Sequence, residues 1–211
     1  MKGWCEMASD EQAQTLGRVP APGRRLRPDD RRAEIIAAAR EVFLTTGYDG
    51  VGLAEVAEVG NVSRGSIYRY FPNGRSDLFQ AVAESLVAEL HSKMSYAASM
   101  PFSASTRMEH LVAAVFAFFQ QNPNAYRLLF RDVWAADDPA VGANALAARA
   151  LLTNEIAQVI ADSGMEPDEI TAASAGILGF TLATVELAID GALDPETAWA
   201  TACRYATSQL G

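Results

Sequence analysis

Four prolines in this chain each follow a residue with a carboxylate or amide side chain: Asn122-Pro123, Asp138-Pro139, Glu166-Pro167 and Asp194-Pro195. Proline presets the helical φ and lacks an N–H that the first helical turn leaves unbonded anyway, so each pair predicts a helix start. Gly164 and Gly191 stand where two of these helices should stop, because glycine takes the left-handed conformation that closes many helices. No stretch alternates apolar and polar residues as a half-buried strand does. The punctuation confines the chain to an all-α fold, with roughly nine helices at a typical length of about 11 residues.

Apolar spacing fills in the remaining helices. Asp29 and Asp30 are placed to cap a helix with the stripe Ile35, Ile36, Ala39, Val42 and Phe43, ending at Gly47. Leu78, Val82, Leu86, Leu90 and Met94 recur four apart along a long helix. Thr106 with Glu109 reads as a capping box ahead of Leu111, Val112, Val115, Phe116 and Phe119.

The net charge of −9 conceals an asymmetry. Residues 1–75 hold 11 basic and 10 acidic side chains, whereas 76–211 hold 6 basic and 16 acidic. A polyanion would therefore approach the first part and be repelled by the second. Residues 1–28, with Pro20, Pro22, Pro28, Gly17 and Gly23 and few large apolar groups, read as a disordered basic arm. The two cysteines, Cys5 and Cys203, have no metal-ligand spacing and exclude a disulfide-dense domain. The polar N-terminus lacks the apolar core of a secretory signal, which leads to the expectation of a soluble, cytoplasmic protein. The stretch Ile170 to Ile189 is long and nearly uncharged, but it contains Glu186 and has no basic flank to orient it. Its small residues Ala172, Ala175, Gly176, Gly179 and Ala183 instead suit close helix packing, so no membrane association is expected.

The informative segment is Leu53 to Phe71, LAEVAEVGNVSRGSIYRYF. A short helix from Leu53 ends near Gly60-Asn61, where Asn61 tolerates left-handed backbone, and Ser63 caps a second helix. Val56, Val62 and Ile67 form a shared core, Ala57 is small where the helices approach, and Phe71 falls on the inner face with Ile67. This is a helix-turn-helix layout. Its second helix offers Ser63, Arg64, Ser66, Tyr68, Arg69 and Tyr70, groups that reach base edges and phosphates.

The run from Ile35 through Leu78 resembles the DNA-binding region of the tetracycline-repressor (TetR) family of bacterial transcriptional regulators. The likeness rests on Ala39 and Phe43, Gly47-Tyr48, Val56-Ala57, Val62-Ser63-Arg64-Gly65, and Ile67-Tyr68-Arg69-Tyr70-Phe71 followed by Arg75 and Leu78. Three departures stand out: Gly52-Leu53 replaces a threonine that opens the second helix in the family, Asn61 replaces the turn glycine, and Asn73-Gly74 lengthens the link to Arg75 by one residue.

The resemblance implies a helix-turn-helix domain over 29–75 and a larger helical effector-binding and dimerisation domain over 76–211. It implies that Arg64 and Ser66 face the major groove and that Tyr68, Tyr70 and Arg75 touch phosphates, with Arg24, Arg25 and Arg27 of the arm adding contacts. It further implies a homodimer formed through the last two helices, a palindromic double-stranded operator, and repression relieved by a small-molecule effector. Aromatic and neighbouring side chains, His91, Met94, Phe102, His110, Phe116, Phe119, Tyr126, Phe130 and Trp134, are candidates for a ligand chamber suited to an apolar or aromatic compound. No cofactor or metal is expected. A helical-bundle enzyme is the rival from another class, but the chain has no His-Glu-x-x-His, Gly-x-Ser-x-Gly or phosphate-cradling glycine loop. A ligand-binding or protein-interaction module without DNA binding is the other alternative.

Overall fold

The computed structural model describes residues 27–131 and 139–210, and these are helical throughout. The helices are α1 (Pro28–Gly50), α2 (Leu53–Val59), α3 (Arg64–Tyr70), α4 (Arg75–Ala98), α5 (Ala104–Gln121), α6 (Pro123–Tyr126), α7 (Pro139–Ile160), α8 (Pro167–Ile189) and α9 (Pro195–Ser208). A π-helical turn, Arg127–Arg131, continues α6, and a 3-10 turn, Ala161–Ser163, ends α7.

All four proline-led helices start where expected. Their caps differ in detail. Asp194 accepts from the Thr197 amide at 3.0 Å, whereas α8 closes a reciprocal box between Glu166 and Glu169. Gly164 and Gly191 adopt φ of 81° and 71° at the helix ends.

Two of the expected caps are corrected. Arg27, in extended conformation, precedes Pro28 at the start of α1, so Asp29 and Asp30 lie in its first turn and favour it through the helix dipole. On α5 the cap is Ser103, which accepts from the Thr106 amide at 3.2 Å. Thr106 therefore sits one turn too deep to cap, and its hydroxyl bonds to Ser103 instead.

Three helices, α1 to α3, form a head whose core is Ile35, Ala39, Val42, Phe43, Val56, Ile67 and Phe71. Gly47, with φ 72° and ψ 178°, breaks α1 as anticipated, and the chain turns so that Tyr48 packs edge-on to Phe79 of α4 at 5.0 Å. The four-apart stripe of α4 is fully buried at all five positions, each such side chain contributing about 1.5–3 kcal/mol. Thus α4 is the spine joining the head to a body made of α5 to α9. An Arg40–Glu89 ion pair at 3.0 Å adds a second tie.

Helix α8 is long and apolar enough to cross a membrane by length and composition. One face is buried through Ser174, Ile177, Leu178, Thr181, Leu182 and Val185 against the rest of the body. Gly176 lets α9 approach closely: a Cβ there would stand 3.2 Å from the Tyr205 hydroxyl, beside the Phe180–Tyr205 ring stack at 4.4 Å.

Candidate nucleic-acid interface

The turn between α2 and α3 is built by Gly60 and Asn61. Asn61 has φ 47°, as its side chain permits, and the Val62 amide donates to the Ala57 carbonyl at 2.9 Å. Gly60 also lies close to α1, since a Cβ on it would stand 3.0 Å from the Ala38 Cβ, and Ala57 packs partly buried against the core. Val56 and Ile67 are completely buried and hold the two helices together, with Val62 packed partly against them.

Helix α3 consequently turns Ile67 inward and Arg64, Tyr68 and Arg69 outward. Ser63 caps it, accepting from the Ser66 amide at 3.1 Å, and the two hydroxyls bond to each other at 3.0 Å. Tyr68 is 52% exposed, a large ring presented to solvent from a rigid helix. Tyr70 is half-buried against the core, with less of its surface available than Tyr68 has.

The cations around this face divide into two sets. Arg31 pairs with Glu34 and Arg40 with Glu89, while Arg32 lies 5.2 Å over the Phe71 ring. Arg27, Arg64 and Arg69 have no ion-pair partner among the described residues, and all three are exposed. Arg24 and Arg25 lie outside the described residues.

Arg75, assigned to a phosphate by resemblance, is turned toward α1. Its guanidinium stands 4.6 Å over the Tyr48 ring and donates to the Asp49 carbonyl at 3.2 Å. The additional residue before it is accommodated by Gly74 at φ 63° and by Asn73, whose amide and side chain both donate to the Asp77 carboxylate. No pattern in the sequence announced this turn, because Asn73 and Asp77 become partners only once α4 begins at Arg75. The missing threonine at the start of α2 leaves Gly52 as a cap with no side-chain bond.

In the body the eight described chamber residues do not converge on one cavity. Met94 and Phe119 are fully buried, and Phe119 sits edge-on to Tyr126 at 5.5 Å and to Phe130 at 6.0 Å in a closed aromatic cluster. Phe116 and Phe119 line a cavity of about 160 Å³ together with Val185 and Ile189 of α8. Phe102 and His110 are exposed and stacked on each other at 5.6 Å beside the α4–α5 turn. His91 faces a separate cleft between α4 and α7. Trp134 lies outside the described residues.

A polar network that sequence reasoning missed crosses from α6 to α8. The Tyr126 hydroxyl donates to Glu186 at 3.1 Å, and Arg131 donates to Glu186 at 3.4 Å and to Asp190 at 2.6 Å. Burial and the Glu186 carboxylate push the Tyr126 phenol well above its ordinary range. Glu186, the lone acid in the apolar stretch 170–189, was the available signal, since such a residue needs a partner.

A compact helical head that presents an exposed helix-turn-helix on an acidic helical body defines a DNA-binding regulator. Residues 35–82 match the family of bacterial regulatory proteins, tetR family. The HTH-type transcriptional activator FasR of Mycolicibacterium smegmatis is 29% identical over 161 residues, 76% of this chain and 73% of that protein. Among solved structures, a tetR-family transcriptional regulator from Streptomyces coelicolor superposes with a TM-score of 0.71 at 20% identity, over 86% of this chain and 80% of the other. The Bacillus subtilis regulator FadR, in complex with stearoyl-CoA, superposes with a TM-score of 0.72 at 16% identity, over 84% and 98%. Residues 35–82 are thus a helix-turn-helix domain of the tetR family, and over about three quarters of its length the chain is similar to a transcriptional regulator.

Proposed function

We propose that the chain binds a two-fold symmetric operator as a homodimer and acts as a cytoplasmic repressor whose grip on DNA is loosened by a small molecule bound in the helical body. The observation that carries the DNA reading is the exposure of Arg64 and Tyr68, one turn apart on α3, while Ile67 and Phe71 are buried in the core. Arg64 and Ser66, with Ser63, read base edges; Tyr68, and Tyr70 to a lesser extent, contact phosphates. Arg75 steadies the turn at the end of α1, and the Arg24, Arg25, Arg27 arm supplies further phosphate or minor-groove contacts.

Dimerisation through α8 and α9 is supported by the apolar surface they leave uncovered, including Leu187 at 45% and Trp199 at 40% exposure. Two recognition helices then fall about one DNA turn of 34–36 Å apart. An effector must bind the two head spacings unequally, since equal affinity shifts nothing. The aromatic cluster and the stearoyl-CoA bound by FadR support an effector with a substantial apolar portion.

The test is selection of bound duplexes from a random library by purified protein and by an Arg64→Ala, Tyr68→Ala variant at one stated salt. A symmetric site enriched by the first and lost by the second supports the reading. No enrichment at low salt from folded dimer overturns it in favour of a ligand-binding module without DNA. The name of FasR favours activation as the second reading of sign, and a reporter carrying the selected site decides between them.

A further inference from the structure

Helix α8 ends on two acids, Glu186 in its last turn and Asp190 at its C-cap, and no basic side chain of its own stands in that turn. The carboxyl end of a helix dipole is negative, so both charges sit where the helix itself disfavours them. Their partners come from a distant segment. Glu186 accepts the Tyr126 hydroxyl on Oε2 at 3.1 Å and the Arg131 guanidinium on Oε1 at 3.4 Å. Asp190 accepts Arg131 on Oδ2 at 2.6 Å and faces Arg127 across 3.7 Å at Oδ1. All four carboxylate oxygens are thereby engaged by Tyr126 and by the two ends of one π-helical turn.

Between those arginines, Leu128, Leu129 and Phe130 are buried, so the turn is seated in the body by its middle. Helix α6 and this turn both touch α1 of the head. The head therefore stands on two supports, α4 and the α6 segment, and a unit held at two places cannot pivot as one on a single hinge does. Leu187, between the two acids in sequence, is 45% exposed on the surface proposed for dimerisation. One turn of α8 thus carries both partner-facing apolar surface and the anchor of the head's second support. Single ion pairs at such partly exposed positions contribute little to stability, whereas a closed network with charge-assisted bonds fixes geometry.

We propose that Arg131, assisted by Arg127, is a positioning residue for DNA binding: by tying the π-helical turn to the end of α8 it sets how far apart the two heads of a dimer stand, and so which spacing of half-sites the protein accepts. The inference rests on the reading of the chain as a dimer through α8 and α9. Arg131 acts through α1 and not on DNA, so its loss loosens the spacing and spares the base preferences of α3.

The experiment has a part without DNA and a part with it, both on the full chain. Spin labels at Glu58→Cys, an exposed position of α2, in a Cys5→Ser background report the head-to-head distance of the dimer by pulsed dipolar spectroscopy, Cys203 being buried. The parent is expected to give one narrow distance and Arg131→Gln a broader or shifted distribution. Asp190→Asn should do the same, and the double variant no more than either single change, because both remove one contact. With DNA, duplexes that keep the selected half-sites and vary only the spacer by single base pairs should be discriminated about three- to tenfold less sharply by Arg131→Gln, with preferences inside each half-site unchanged. Partial unfolding would lower binding at every spacing alike and leave that ratio where it was. An unchanged distance distribution in the folded Arg131→Gln dimer, or an unchanged spacing ratio, overturns the proposal. A monomeric parent overturns it together with the dimer reading. A dimer that selects no duplex overturns the DNA reading, an outcome that the distance measurement keeps separate from failure of the network.

Discussion

The Arg75 guanidinium lies 4.6 Å over the Tyr48 ring, joining the first residue of α4 to the turn that ends α1. A charge expected on DNA thus also fastens the head to the spine that carries it. Arg75→Ala is expected to lower stability by about 0.5–1 kcal/mol, the scale of an exposed cation–π contact. It should weaken binding to all duplexes alike, without altering the preferred sequence. Melting curves and affinities for selected and scrambled duplexes at one salt check both.

Gly74 should tolerate no side chain. Its φ of 63° with ψ of −115° is glycine territory, and a Cβ would lie 3.2 Å from Leu53 Cδ1 and 3.5 Å from the Tyr68 ring. Gly74→Ala is expected to cost about 1–3 kcal/mol of backbone strain, read from urea denaturation. Operator affinity of the folded protein should change little, because 3.5 Å from the Tyr68 ring is ordinary contact, and Asn73→Ala should likewise act on stability alone.

Arg64 and Tyr68 are expected to fail differently when changed. Arg64→Ala should lose about 1–3 kcal/mol on the preferred site and relax its sequence at one position in each half. Tyr68→Phe should weaken binding about equally on every sequence, since it removes one phosphate donor. Competition with single-base variants of the selected site separates the two patterns.

Stability should decline on the alkaline side. Burial, with a smaller contribution from Glu109, pushes the Cys203 thiol up to about 11, and Tyr126 is raised as well. Groups with raised folded values contribute fully below their unfolded values and lose that contribution as pH climbs through the folded ones. Unfolding free energy should therefore fall between about pH 9 and 11, and Cys203→Ala should flatten part of the slope. Urea midpoints at pH 8 and 10.5 test this.

Much of the fold was legible because its signals are local. Proline after Asp, Asn or Glu needs only its own φ and missing N–H to start a helix, and the four-apart stripe from Leu78 to Met94 needs only helical geometry to define a buried face. Asn61 and Ser63 announced the turn and cap for the same reason. The start of α5 was misplaced by one turn because Ser103 and Thr106 are both capable caps, and only the path of the chain out of α4 decides between them.

What the sequence by itself determined is the helical grammar, the acidic body, and a recognition helix with Ile67 and Phe71 inward and Arg64 and Tyr68 outward. Each follows from residue type and a period of 3.6. Tertiary structure alone decided that Arg75 turns to Tyr48, that Glu186 gathers Tyr126 and Arg131, and that His91 meets Glu155 across 64 positions of chain. It also separated the aromatic side chains into a closed cluster and a surface stack. These are contacts between distant segments, and the direction in which a buried polar group finds its partner is set by how whole helices pack.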